Sequence, residues 1–148
     1  MIEARRVSVW NGRYDVIADG RHVATWVRAG STTGGTLQWD GRRYQVRASM
    51  MGGTAGMYAP GGRQVATAHD VGRRLWTIQA DGATYEVRRA PPWRPEDTLH
   101  VQGQRVGSVK RTNILRGDAA ANLPGMPLPV QLFALALVLT IWDATAAW

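Results

Sequence analysis

Three histidines, His22, His69 and His100, are the first candidates for metal ligation in a chain that contains no cysteine. Their separations of 47 and 31 residues fit no metal-ligand motif, and neither a metal site nor a cofactor is expected. His69 precedes Asp70, as in half of a hydrolase dyad. None of Ser8, Ser31, Ser49 and Ser108 lies in the G-x-S-x-G setting that exposes a nucleophile. The glycine-rich stretches 31–36 and 51–56 lack the G-K-[ST] ending and the following helix of a phosphate-cradling loop. Hairpin loops with a glycine bulge are expected there instead. Met50, Met51 and Met57 lie around the second stretch and would supply adaptable apolar contacts or pack on the body of the protein. No acid, base and nucleophile converge, so a non-enzymatic protein is expected.

Charge is the remaining chemical signal. The net charge is +7, and Lys110 is the one lysine among eighteen basic residues. Arg42, Arg43 and Arg47 flank one Asp-Gly pair, and Arg73, Arg74, Arg88, Arg89 and Arg94 flank another. Lys110, Arg111 and Arg116 follow later. Guanidinium groups meet phosphate with paired hydrogen bonds. Gathered on one rim, these residues would suit lipid headgroups or a nucleic-acid backbone; dispersed, they would form a solvated surface. The candidate anion-binding set is Arg42, Arg43, Arg47, Arg73, Arg74, Arg88, Arg89, Arg94, Lys110 and Arg111.

The elements that must carry these residues repeat. Asp40-Gly-Arg-Arg-Tyr-Gln-Val-Arg47 recurs 41 residues on as Asp81-Gly-Ala-Thr-Tyr-Glu-Val-Arg88. Gly20-Arg-His-Val-Ala-Thr25 recurs as Gly62-Arg-Gln-Val-Ala-Thr67, and more loosely as Gly103-Gln-Arg-Val-Gly-Ser108. Asp19-Gly20, Asp40-Gly41 and Asp81-Gly82 are turn dipeptides, and Asn11-Gly12 and Gly61-Gly62 fit the same role. Around them apolar residues alternate. Leu37, Trp39, Tyr44 and Val46 share one face, as do Trp76, Ile78, Tyr85 and Val87, whereas Arg43, Gln45, Arg47, Thr84, Glu86 and Arg88 point away. Turns every ten or so residues give about four strands per unit and about twelve in all. A barrel of that number is too wide for its own side chains to fill. Tryptophans at strand positions, Trp26, Trp39 and Trp76, are expected to face the core. Trp93, among prolines, is expected in a loop that seals a barrel end or meets a membrane interface.

The filling is at the end of the chain. Pro124, Pro127 and Pro129 stop the last strand, and a helix is expected to start near Val130. From Val130 to Trp142 it is apolar on every side, which requires enclosure by protein or by lipid. Asp143 interrupts the run, and an acid at the centre of a bilayer costs on the order of 3 kcal/mol. A buried central helix therefore takes precedence over a tail anchor. The organisation expected is one domain: β-repeats over 1–123, a proline-rich connector over 124–129 and a central helix over 130–148. The N-terminus, MIEARRVSVW, has neither the apolar stretch nor the cleavage site of a secretory signal.

Repeated G-x-x-V-A and D-G-x-x-Y-x-V-R hairpins before a proline-flanked apolar helix resemble the tubby C-terminal-like fold, in its LURP-one-related and phospholipid-scramblase-like branches. The resemblance implies a mainly β, twelve-stranded closed barrel, here from three repeats of about 41 residues, around a hydrophobic C-terminal helix. It also implies a membrane theme, since tubby domains bind phosphoinositides and scramblases act on bilayers. No tubby lipid-binding motif and no acidic calcium-binding segment is present to carry over. The expected function is a monomeric binding module for an anionic ligand or phospholipid surface, cytoplasmic and peripheral to the membrane. A tail-anchored protein and a nucleic-acid-binding barrel are the alternatives.

Overall fold

The computed structural model describes residues 1–8, 12–29, 34–49, 52–91, 96–113 and 116–145. The strands are β1 (Ile2–Ser8), β2 (Arg13–Ala18), β3 (Arg21–Arg28), β4 (Gly34–Trp39), β5 (Arg42–Ser49) and β6 (Thr54–Tyr58). They continue as β7 (Gln64–His69), β8 (Leu75–Ala80), β9 (Ala83–Arg88), β10 (Glu96–Val101), β11 (Gln104–Asn113) and β12 (Asp118–Asn122). One helix, α1 (Leu128–Thr145), follows. Each strand pairs antiparallel with its neighbours in sequence, and β12 pairs with β1 to close the barrel.

The turn chemistry sets the register. Asp19-Gly20, Asp40-Gly41 and Asp81-Gly82 all have positive φ at both positions, between 50° and 76°. That is the conformation whose twist matches paired strands. Gln102-Gly103 adopts it too, with φ of 50° and 81°. Around the turns the expected faces hold: Leu37 pairs with Tyr44 and Trp76 with Val87, all buried, while Arg43, Gln45 and Arg47 are exposed. Trp26 and Trp76 are wholly buried, and Trp39 is partly so.

The recurring motifs build recurring geometry. In β3, β7 and β11 the ladder to the preceding strand slips by one residue, and the extra residue is Val23, Val65 or Val106. These are the valines of the three G-x-x-V motifs. The third set of four strands is completed from the other end of the chain. Ala121 pairs with Ile2 as Leu37 pairs with Tyr44 and Ile78 with Tyr85. Ile2-Glu-Ala-Arg5 thus stands where Tyr85-Glu-Val-Arg88 stands in its own unit. The outward Glu–Arg pair is shared as well, at 3.5 Å for Glu3–Arg5 and 3.6 Å for Glu86–Arg88.

The glycine-rich stretches differ from expectation. Gly34–Thr36 opens β4, and Thr54–Gly56 opens β6. These residues are strand because both neighbouring strands pair with them. Gly35 has a packing reason: a Cβ there would collide with the Val27 carbonyl and come within 2.8 Å of the Trp26 ring. Met57 lies in the core; Met50 and Met51 fall outside the described residues.

α1 fills the bore. It begins at Leu128, two residues earlier than expected, with Pro129 in the first turn, where a missing N–H removes no helical bond. From Leu132 to Trp142 every residue is buried, sharing one core with the inward side chains of the strands. Thr140, the one hydroxyl in that span, donates to the Ala136 carbonyl at 2.8 Å. Among the described residues no helix is long and apolar enough to cross a membrane.

Candidate functional site

Alternating strand direction sorts the connections into two ends. The tight turns at 19–20, 40–41, 61–62, 81–82 and 102–103 lie at one end, where α1 enters. The longer connections lie at the other, together with the helix C-terminus. The arginine set divides the same way. Arg42 and Arg43 sit at the turn end, at the start of β5. Arg47, Arg73, Arg74, Arg88, Arg89, Lys110 and Arg111 sit toward the loop end. Arg94, like Trp93, Asn11 and Ser31, falls outside the described residues.

On the loop rim six members of the set lie in an arc from the β7–β8 connection to β11. Arg73, Arg74 and Lys110 are exposed, and none makes an ion pair among the described residues. Leu75, beside them, is an exposed large apolar side chain, as are Val7 and Val27 nearer the same end of β1 and β3. Other members of the set have local structural roles. Arg88 pairs with Glu86. Arg89 donates to the Gly72 carbonyl at 2.7 Å and knits the β7–β8 connection to β9. Arg47 lies over the Tyr58 ring, 5.2 Å from its centre.

Inside the loop-end mouth, Asp143 near the end of α1 is gripped by three strands. Tyr14 on β2 donates its hydroxyl to both carboxylate oxygens at 3.0 Å. Arg6 on β1 donates at 3.3 Å, and Arg28 on β3 lies 3.5 Å away. The Asp143 side chain is 7% exposed, against 15% for Arg6 and 26% for Arg28. Arg6 also donates its backbone N–H to Asp118, and its guanidinium lies over the Tyr14 ring. Burial, with Asp143's charge behind it, pushes the Tyr14 phenol far above its ordinary range, so it stays a donor. Arg111 stacks 4.9 Å over Trp142 and shields the same mouth. Sequence reasoning missed Arg6, Tyr14 and Arg28. The available signal was Asp143 itself, because a carboxylate enclosed by a barrel needs cationic partners.

A second acid is buried without a full set of partners. Asp97 on β10 is 3% exposed. One oxygen accepts the Ala90 N–H at 3.3 Å, and the other has no partner. Burial pushes this carboxyl above its ordinary value of 3.8, outweighing the pull of the Ala90 N–H and Arg89. The folded state therefore holds a proton that the unfolded chain releases. The associated stability is complete below the ordinary value and declines as pH rises toward the folded value. In urea titrations Asp97→Asn should gain midpoint over the wild type as pH rises above the ordinary carboxyl value of 3.8; parallel curves would remove this assignment.

Outside the loop rim, His22 lies 3.0 Å from the Thr25 hydroxyl and 3.4 Å from Asp15. His100, on the outer wall, contacts the Thr98 hydroxyl at 2.9 Å, and burial followed by the charge of Arg88 holds its pKa below the usual histidine value. The structure does not bring His22, His69 and His100 together: they occupy β3, β7 and β10, and no cluster of metal-ligating side chains forms among the described residues. Comparison of the chain with protein-family models, with curated proteins and with solved structures finds no match.

Proposed function

We propose that this barrel is a non-enzymatic binding module whose loop rim docks on an anionic phospholipid surface. One observation carries the reading. Unpaired Arg73, Arg74 and Lys110 share an end of the barrel with exposed Leu75, Val7 and Val27. Cations and apolar side chains on one rim suit the boundary between headgroups and acyl chains. The resemblance to the tubby-like fold supports the same theme. The helix contributes rigidity rather than insertion, because its apolar faces are already covered by strands.

Each basic residue near an anionic surface contributes about 1 kcal/mol. The variant carrying Arg73→Ala, Arg74→Ala and Lys110→Ala should then lose affinity for vesicles containing phosphatidylserine by about a hundredfold. Co-sedimentation measures this, with neutral phosphatidylcholine vesicles as the blank. Equal and negligible binding of the wild type to both vesicles refutes the proposal. A nucleic-acid partner predicts instead a shift of generic duplex or single strand at low salt.

A further inference from the structure

The hairpins part from one another at the turn end. β3 and β4 are paired from Ala24–Trp39 upward, and β7 and β8 from Thr67–Gln79 upward. Below those pairs the wall opens into two clefts. The first, of about 430 Å³, is bordered by His22, Thr25, Gln38 and the Trp39–Arg43 hairpin tip. The second, of about 420 Å³, is bordered by 64–67 and 79–84. Both are in the size range of small-molecule sites.

The clefts occupy equivalent places in two units. Thr25 corresponds to Thr67, Gln38 to Gln79 and Asp40 to Asp81, so the backbone frame and the turn carboxylate are common to both. The linings differ at four positions: His22 against Gln64, Trp39 against Ala80, Arg42 against Ala83 and Arg43 against Thr84. The first cleft thus gains two positive charges, an imidazole and an indole on a common backbone frame. The fold does not demand them, since the second unit forms the same hairpin without them. Arg42 and Arg43 are exposed and make no ion pair among the described residues. Both border the cleft from the start of β5. Asp15, which faces His22, and Asp40 are the acids close by. Asp40 has its counterpart, Asp81, in the second cleft and does not account for the difference.

We propose that the cleft bordered by His22, Arg42 and Arg43 is a binding site for a phosphate monoester. Its two negative charges match two guanidiniums, each able to give paired hydrogen bonds to phosphate oxygens. This site lies at the opposite end of the barrel from the membrane-docking rim and stands independently of it. A monoester is found both on soluble metabolites and on phosphatidic acid, and the two sources are separable.

The test is a titration of the full-length chain with glycerol 3-phosphate, followed by amide NMR. Gly41 and Gly82 are equivalent reporters in the two clefts. Saturable shifts at Gly41 and His22, with Gly82 unmoved, are expected. Arg42→Ala with Arg43→Thr installs residues that the second cleft already tolerates, and should weaken binding at least tenfold. Ala83→Arg with Thr84→Arg should create saturable shifts at Gly82. Vesicles containing phosphatidic acid form the second arm. Loss of their binding in the Arg42/Arg43 variant, without response to the soluble ester, supports the site with a lipid source. Response to the soluble ester alone supports a metabolite. Parallel, non-saturating shifts at both glycines together with vesicle binding unaffected by the Arg42/Arg43 variant overturn the proposal. Because those residues are remote from Arg73, Arg74 and Lys110, this failure leaves the rim reading to its own experiment.

Discussion

A chain ending at Leu123 should not fold. α1 places nine large apolar side chains in the bore: Val130, Leu132, Phe133, Leu135, Leu137, Val138, Leu139, Ile141 and Trp142, each at most 8% exposed. At about 1.5–3 kcal/mol for each, their burial contributes roughly 15–25 kcal/mol before the entropy of ordering them. The net stability of a domain this size is about 5–15 kcal/mol. Nothing in the wall replaces them, because Trp26, Trp76, Leu37 and Ile78 would then border an empty bore. The truncated chain should lack near-ultraviolet circular dichroism, aggregate, and show no cooperative urea transition. A monodisperse, cooperatively unfolding product would remove the helix from its role as the core. A single-residue counterpart is Phe133→Ala, expected to cost about 3–5 kcal/mol because Phe133 is wholly buried.

The second large effect is expected at Asp143. Removing one member of a buried ion pair costs about 3–5 kcal/mol, since the partner charge stays behind. Arg6 and Arg28 retain some contact with water, so Asp143→Ala should cost about 2–4 kcal/mol in urea unfolding. Tyr14→Phe removes the single bifurcated hydrogen bond to the same carboxylate and should cost about 1–2 kcal/mol. The double variant should lose less than the sum, because both changes empty one network. Full additivity would show that the carboxylate and the phenol act separately. The network also answers why an acid is tolerated near a helix C-terminus, where the macrodipole opposes it. Two guanidiniums and a phenol from β1, β2 and β3 offset that penalty and fix how far the helix enters.

Much of the barrel was legible in the residues. Asp-Gly dipeptides between alternating runs locate the tight turns, and the alternation at 37–46 and 76–87 assigns inner and outer faces correctly. The run after Pro129 is helical and enclosed, as its all-round apolarity requires. Other parts were not legible for physical reasons. β12 reads Asp-Ala-Ala-Ala-Asn, which has no strand propensity of its own. It is extended because β11 and β1 pair with it on both sides. β1 shares only its glutamate and arginine with Glu86 and Arg88, so its equivalence with β9 appears only once register is known. The candidate site was half legible: the arginines are plain in the sequence, but which of them share a rim depends on strand direction. The grip on Asp143 joins residues more than a hundred positions apart along the chain, and no local pattern announces it.

The completion of the third unit by β1 has a consequence for biosynthesis. The wall's first stave must wait for its last before the cylinder can shut, and the plug is translated after both. Throughout elongation the ribosome therefore presents a curved sheet with a bare greasy lining. Protection of that lining until α1 emerges becomes the step on which a productive yield depends.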